Sequence, residues 1–212
     1  MVKSKYSENI SLRSNHHHGM LLYKNNHQRN EILTSYLNKE LTKGHLCIYA
    51  PVDPYSRESA TNIYDISAKI WNYHKNIQDG NLQIINMRYY YDCVIRREME
   101  PLKNIKLGLQ NAIRNRYKYN KKKIEIVIIT DINFSLLQKK YVGQCFAVEE
   151  WLGNIYSECI NNNQYIKILC LYPHFLFSSE VEESIKLVKD KLVELHTLTI
   201  DVSLDSSILN KY

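Results

Sequence analysis

Segments typical of buried strands alternate along this chain of 212 residues with segments typical of helices, and this alternation limits its fold more than any other feature. Short apolar stretches rich in β-branched residues predict strands at residues 45–50, 82–87, 124–130, 165–172 and 197–202. Apolar residues at helical spacing predict helices at residues 28–42, 60–77, 102–117, 146–159 and 179–195. Because parallel strands need helical crossovers of this kind, the sequence predicts a three-layer α/β fold. Its mainly parallel sheet of five or more strands would be flanked by helices on both faces.

Polar segments mark the ends of the predicted domain. We expect residues 1–15 to form an N-terminal tail, residues 16–203 the α/β domain and residues 204–212 a C-terminal tail. The first segment lacks the apolar core of a signal peptide, and no stretch approaches the roughly 18 apolar residues of a membrane span. The sequence therefore predicts a cytoplasmic protein with no membrane contact. Residues 88–101, which are charged and aperiodic, are expected to be irregular.

The spacing of the glycines excludes two phosphate-binding motifs. The chain has 6 glycines, and no two of them lie closer than ten residues. The phosphate loop GxxxxGK[ST] and the dinucleotide fingerprint GxGxxG both need closely spaced glycines, because the backbone must approach the phosphate. Neither motif is present, so the sequence predicts no nucleotide cofactor.

The cysteines and histidines give no metal motif that can be recognised by spacing. The 5 cysteines are never closer than eleven residues, which excludes every CxxC zinc or redox motif. Without a secretion signal, these cysteines are expected to be reduced thiols that pack as small hydrophobic side chains. Three consecutive histidines, His16 to His18, cannot converge on one ion unless the chain curls. We therefore expect neither a metal nor another cofactor.

Four loops follow the carboxyl ends of the predicted strands, where open parallel α/β sheets bind their ligands. They contain carboxylates, an arginine, tyrosines and a histidine among aromatic residues, which is the composition of a small-molecule pocket. Ordinary polar loops would explain each residue singly, so the prediction depends on the set as a whole. The candidate ligand-binding residues in these loops are Asp53, Tyr55, Arg88, Tyr89, Tyr91, Asp131, Asn133 and His174.

Short motifs spread over residues 16–202 resemble, in order and spacing, those of the methanogen/methylotroph DcmR sensory (MEDS) domain. They are His18-Gly-Met-Leu-Leu-Tyr23, a helix that ends at Gly44, the strand Leu46-Cys-Ile-Tyr49, Gly80-Asn-Leu82, Ile128-Ile-Thr130, Glu150 with Asn154, and Cys170-Leu-Tyr172 followed by Phe177. The resemblance adds His18, Tyr23 and Glu150 to the candidate ligand-binding residues.

The resemblance implies a core similar to that of RecA and KaiC that has lost its phosphate loop and senses small molecules. The loop after the first predicted strand, residues 51–59, has neither Gly nor Lys, where a RecA-like ATPase has its phosphate loop. Asp131 would lie at the strand end where such ATPases place a magnesium-binding acid.

We therefore expect a non-catalytic sensory domain that binds a small molecule at the carboxyl ends of the strands. Such a domain would act through a protein partner or as a homodimer, in signal transduction or transcriptional regulation. A residual nucleotide hydrolase, or a hydrolase that uses Asp131, His174 and Asp53, is the enzymatic alternative. Binding of nucleic acid through the basic segment Lys121–Lys123 is a second alternative. It is not expected, because a net charge of +6 is modest for a chain of this length.

Overall fold

A computed structural model describes residues 17–56, 62–120, 125–162, 164–177 and 183–202 of the protein. In these residues six strands form one sheet, with all neighbours parallel. The strands are β1 (His17–Tyr23), β2 (Leu46–Ala50), β3 (Leu82–Ile84), β4 (Glu125–Thr130), β5 (Tyr165–Pro173) and β6 (Leu198–Asp201). Their order across the sheet is β3-β2-β4-β5-β1-β6. The predicted α/β fold with a parallel sheet is confirmed.

Helices cover both faces of the sheet. They are α1 (Asn26–Thr42), α2 (Ile63–Ser67), α3 (Tyr73–Gln78), α4 (Arg88–Ile95), α5 (Leu102–Asn120), α6 (Ile132–Gln138), α7 (Val142–Asn161) and α8 (Glu183–Leu195), with a short 3₁₀ turn at His174–Phe177. Helices α1 and α2 pack on one face, and α4 to α8 pack on the other. Because side chains alternate along a strand, Met20 and Leu22 of β1 join one core and Leu21 and Tyr23 join the other.

The connections that leave the carboxyl edge of the sheet run along different faces. The chain passes from β1 through β2 to β3 along the face covered by α1 and α2, and from β3 to β6 along the opposite face. The neighbours β2 and β4 therefore lead into opposite faces, as do the neighbours β1 and β5. Crevices for ligands in open parallel sheets form at such switch points.

Strand β1 is a strand that the sequence did not predict. Its first residues, His17-His18-Gly19, are not typical of a buried strand, yet the whole of β1 is buried between β5 and β6. Residues 51–56, the described part of the loop predicted after the first strand, follow β2 instead, and the loop after the first strand is Lys24 and Asn25. Two residues without glycine cannot form a phosphate loop, which needs roughly eight.

Two segments expected to be loops are helical. Residues 88–95 form α4, which begins where the Asn86 side chain accepts a hydrogen bond from the Arg88 amide at 2.9 Å. Residues 132–138 form α6, which begins directly after Asp131 and buries Ile132 and Leu136. Both helices are short, so each offers too few buried positions for its period to stand out.

The helix predicted at residues 60–77 is divided into α2 and α3. Asn72 lies between them with a φ of 47°, a left-handed conformation that no helix interior contains. Asn38 of α1 stabilises this turn, because its side chain accepts a hydrogen bond from the Trp71 amide and donates one to the Lys69 carbonyl. The helix ending predicted at Gly44 is confirmed by its φ of 79°.

Three sets of expected features lie outside the described residues: the two tails, the basic segment Lys121–Lys123, and the capping residues Ser179 and Glu182.

Candidate functional site

The protein's own side chains fill part of the carboxyl edge of the sheet. Asp131, directly after β4, is fully buried; its Oδ1 accepts a hydrogen bond from the Val52 amide at 3.1 Å. Its Oδ2 lies 4.0 Å from Arg29 of α1, which donates a 2.7 Å hydrogen bond to the Tyr49 hydroxyl. Burial raises the pKa of Asp131, although the charge of Arg29 opposes this shift. Tyr23 completes the group, and burial raises the pKa of its hydroxyl as well.

The tyrosines and arginine that the sequence selected after β3 lie on α4 rather than in a loop. Arg88 and Tyr89 are exposed, and Arg88 pairs with Asp92 at 3.4 Å. Tyr91 is buried, and its hydroxyl donates to the Ser135 carbonyl at 3.4 Å.

The remaining loop residues are dispersed. Asp53 is half-buried and Tyr55 is exposed after β2. The imidazole of His174 lies 3.6 Å from the Asp201 carboxylate. Glu150 is exposed on α7, while its neighbour Glu149 is fully buried.

A buried polar cluster surrounds Glu149 beneath α7. We call it the Glu149 cluster; its members are His18, Asn133, Glu149, Cys170, Tyr172 and His196. Of these, His18 and Asn133 were predicted from the sequence as site residues. They come from β1, α6, α7, β5 and the segment between α8 and β6, so the tertiary fold alone brings them together.

Each oxygen of the Glu149 carboxylate has its own set of neighbours. Oε1 accepts hydrogen bonds from the Asn133 amide, at 2.6 Å, and from the Tyr172 hydroxyl. Oε2 lies 3.0 Å from His18 Nε2, 3.2 Å from His196 Nε2 and 3.5 Å from Cys170 Sγ. The imidazole rings of His18 and His196 are 4.4 Å apart between their centroids.

These contacts keep Glu149 ionised although it is buried. Burial by itself would raise the pKa of this carboxyl, but the contacts and charges of His18 and His196 hold it below its usual value. Burial raises the pKa of Cys170, and the Glu149 carboxylate raises it further, so this residue is a thiol at neutral pH. Burial lowers the pKa of His196, but Glu149 outweighs burial and raises it. The imidazole nitrogens, the carboxylate oxygen and the sulfur of His18, Glu149, Cys170 and His196 are atoms of the kinds that bind transition metals.

Sequence reasoning missed Glu149, His196 and the polar role of Cys170. One signal was available in α7, where Cys145, Val148, Leu152 and Ile155 form a buried stripe that also includes Glu149. A carboxylate inside an apolar stripe indicates a buried partner. His196 offers no such signal, because it lies alone between a helix and a strand.

An open cavity of about 460 Å³ lies between the sheet and helices α4, α5 and α7. Its walls are mainly apolar, formed by Ile48, Ala50, Ile85, Met87, Leu109, Ile128, Trp151, Leu152 and Ile155 among others. A few polar side chains interrupt them, namely Gln83, Tyr90, Asn104, Asn111 and Thr130. None of the residues that the sequence selected is among the described residues that line this cavity.

A second charged group lies at the opposite edge of the sheet. Lys167 Nζ is 2.7 Å from Glu125 and 3.2 Å from Glu40, and Glu40 also contacts Lys43 and His45 at 2.7 Å each. The pairing of His45 with Glu40 gives this histidine a structural role.

Within the described part of the chain, no helix is both long and apolar enough to span a membrane. No protein-family model matches the sequence, and no curated protein is similar to it.

Proposed function

We propose that this protein is a sensory domain that binds a small, mainly apolar molecule in the cavity beneath α5. The observation that carries the proposal is the cavity itself. Its volume of about 460 Å³ falls within the range of roughly 300–1,000 Å³ found for small-molecule sites. Its walls combine a continuous apolar surface with a few polar groups, which is the composition that orients a small ligand.

The cavity adjoins the carboxyl edge of the sheet without being centred on it. Ala50 and Thr130, the last residues of β2 and β4, line its end, whereas Ile48 and Ile128 line it along the sheet face. The ligand would therefore lie against the sheet near one of the switch points, under the helices that follow β3 and β4. The resemblance to the MEDS domain supports the same class of ligand-binding function.

Sensing requires that the ligand bind two states of the protein with different affinity. Helices α4 and α5 supply the outer wall of the cavity and connect only the edge strand β3 to β4. A ligand that packs against them would stabilise one arrangement of these helices, which a protein partner or a second copy of the chain would then recognise.

Tryptophan fluorescence provides a direct test. The chain has two tryptophans, Trp151 in the cavity wall and Trp71, which is 58% exposed, so the Trp71→Phe variant leaves one reporter. Titration with primary alcohols from 1-butanol to 1-octanol should change the Trp151 emission in a saturable way. Each added methylene should tighten binding about fourfold until the cavity is full.

Two glycine variants give a matched comparison. Gly108 of α5 lines the cavity and Gly143 of α7 does not, and a Cβ at either position would meet no atom within 4 Å. Gly108→Phe should weaken binding of 1-hexanol roughly tenfold, because the ring takes up space that the ligand needs. Gly143→Phe should leave binding unchanged. Non-saturable emission changes, or equal effects of the two variants, would contradict the proposal.

The enzymatic alternative is tested separately. Asp131 has Arg29 and Val52 as its partners, and β1 is followed by a loop of two residues, so neither element forms a phosphate cradle. Magnesium-dependent ATP turnover by the purified protein that is lost in Asp131→Ala would overturn the non-catalytic proposal.

A further inference from the structure

Four donor atoms in the Glu149 cluster converge on one point inside the fold. We propose that His18 Nε2, Glu149 Oε2, Cys170 Sγ and His196 Nε2 bind one divalent transition metal of the zinc class as a closed structural site. The four side chains are buried, and their donor atoms all lie within 4.8 Å of one another.

Four of the six separations between the donors are close to the edges of a coordination tetrahedron, and the other two are at most 4.8 Å. Zinc bonds of about 2.0–2.3 Å place tetrahedral ligands roughly 3.3–3.7 Å apart. Cys170 Sγ lies 3.6 Å from His18 Nε2 and 3.5 Å from Glu149 Oε2, within that range. Glu149 Oε2 lies 3.0 Å from His18 and 3.2 Å from His196, so these edges need to lengthen by only a few tenths of an ångström.

The kinds of donor select the metal. Magnesium and calcium prefer oxygen ligands, whereas two imidazoles and a thiolate favour zinc and related ions. The carboxylate supplies the fourth position that tetrahedral zinc requires. Binding releases to solvent the Cys170 thiol proton and any proton on His18 Nε2 or His196 Nε2, since the thiolate and the neutral imidazoles are the ligands.

The ligand side chains are oriented by hydrogen bonds to neighbouring groups, as is common in metal sites. The Nδ1–H of His196 donates to the Leu192 carbonyl at 2.7 Å, which directs Nε2 into the cluster. That Nε2 is buried and lies 3.2 Å from Glu149 Oε2, outside the geometry of a hydrogen bond. Asn133 and Tyr172 hold the other oxygen of Glu149 and leave Oε2 to face the imidazoles and the thiol.

A second set of possible metal ligands in the described residues already has a cation beside its carboxylates. Glu40, His45 and Glu125 also lie close together, but the Lys167 ammonium already contacts both carboxylates. In the described part of the chain, Glu149 Oε2 faces the two imidazoles and the Cys170 thiol rather than an ammonium or guanidinium group. A metal ion bound to both imidazoles would take over from the imidazole protons as the cation that balances the Glu149 charge.

The site would have a structural role. All four positions of the tetrahedron come from the protein, and no open position remains for substrate. The metal would join β1, β5 and α7 to the segment between α8 and β6.

Metal content and cobalt spectroscopy on the full chain test the proposal. Protein that is stripped with a chelator, loaded with Zn²⁺ and desalted should retain one zinc ion per chain. Loading with Co²⁺ should produce the intense visible bands of tetrahedral cobalt together with a thiolate-to-cobalt charge-transfer band in the near ultraviolet. Zinc content well below one ion per chain, or bound cobalt without the thiolate band, would overturn the proposal.

Matched variants identify the ligands. Cys170→Ser should lose the charge-transfer band and bind zinc at least tenfold more weakly. Cys159→Ser, at a buried cysteine of α7 outside the cluster, should keep the band and the zinc affinity of the parent protein. His196→Ala should lose the metal and His174→Ala should retain it. Equal metal binding by Cys170→Ser and Cys159→Ser would refute the assignment.

Hydrogen exchange on the unaltered chain does not depend on the folding of any variant. Because the metal would fix His196, amides of residues 192–202 should exchange at least tenfold more slowly in the zinc-loaded than in the stripped protein. Identical exchange in the two forms would show that zinc does not join this segment to the sheet.

Discussion

At the scale of single residues, buried charges in this protein are stabilised by partners that lie far away in the sequence. Glu149 depends on His18 and His196, and Asp131 depends on Arg29. Such pairs contribute little net stability compared with apolar residues of the same volume, but loss of one partner leaves an uncompensated charge. The sequence shows each residue, whereas the pairing that makes its burial tolerable appears only in the fold.

The lowered pKa of Glu40 leads to a prediction about how the stability of the protein depends on pH. Burial would raise its pKa, but hydrogen bonds from His45 and Lys43 and the charge of Lys167 outweigh burial and lower its pKa to about 2. A carboxyl with a lowered pKa stabilises the fold above its unfolded pKa, near 4.5, and this contribution is lost as the pH falls towards 2. The free energy of unfolding should therefore fall by up to about 3 kcal/mol between pH 5 and pH 2 from this group.

Urea unfolding at a series of pH values measures this dependence. Glu40→Gln should be less stable at pH 6 and should show a shallower loss of stability towards acid. Glu158→Gln removes an exposed carboxylate and should retain the slope of the parent protein. If Glu40→Gln loses stability with acid as steeply as the parent, Glu40 does not carry the effect.

At the scale of elements, α7 connects the two functional features. Glu149 on its buried face belongs to the polar cluster, while Trp151, Leu152 and Ile155 line the cavity. Because consecutive positions on a helix point about 100° apart, one helix can contribute to both. The apolar spacing predicted α7 from the sequence, but the partners of the carboxylate within its buried stripe lie on other elements.

The turn between α2 and α3 gives a prediction about backbone conformation. Asn72 is exposed and has a φ of 47°, which a β-branched residue adopts only with strain. Asn72→Val should lower the free energy of unfolding by roughly 1–2 kcal/mol. Asn72→Gly should stay within about 0.5 kcal/mol of the parent, since glycine adopts this conformation freely.

Thermal or urea unfolding of both variants measures the difference. The control is His74→Val at an exposed helical position of α3, which should cost only a few tenths of a kcal/mol. An Asn72→Val variant as stable as Asn72→Gly would mean that the turn does not need the left-handed conformation.

At the scale of the whole molecule, the sheet order places the strands in unequal environments. Strands β2, β4, β5 and β1 have neighbours on both sides, while β3, with three residues, and β6 lie at the edges of the sheet formed by the described residues. The helices on the two faces complete the burial of the central strands. Stability should therefore be highest at the centre of the sheet and lowest at its β3 edge.

Native-state hydrogen exchange tests this order. Amides of Ile126–Ile129 and of Ile166–Leu171 should be protected by the full free energy of unfolding, because they open only when the core opens. Amides of β3 should exchange through local opening and show much lower protection. Equal protection of β3 and β5 would mean that the whole sheet unfolds as one unit.

The α/β class, most helix and strand positions and the absence of a phosphate loop were predictable from the sequence, because periodicity and glycine spacing are local properties of the chain. Strand β1 was not, since the burial of His18 becomes favourable only when Glu149 and the neighbouring strands surround it. The Glu149 cluster and the cavity were decided by tertiary structure alone. His18 and His196 are separated by most of the chain, and the cavity is a space between elements that no single segment encodes. Local sequence specifies which elements form, whereas the chemistry of a buried site depends on which elements the sheet order brings together.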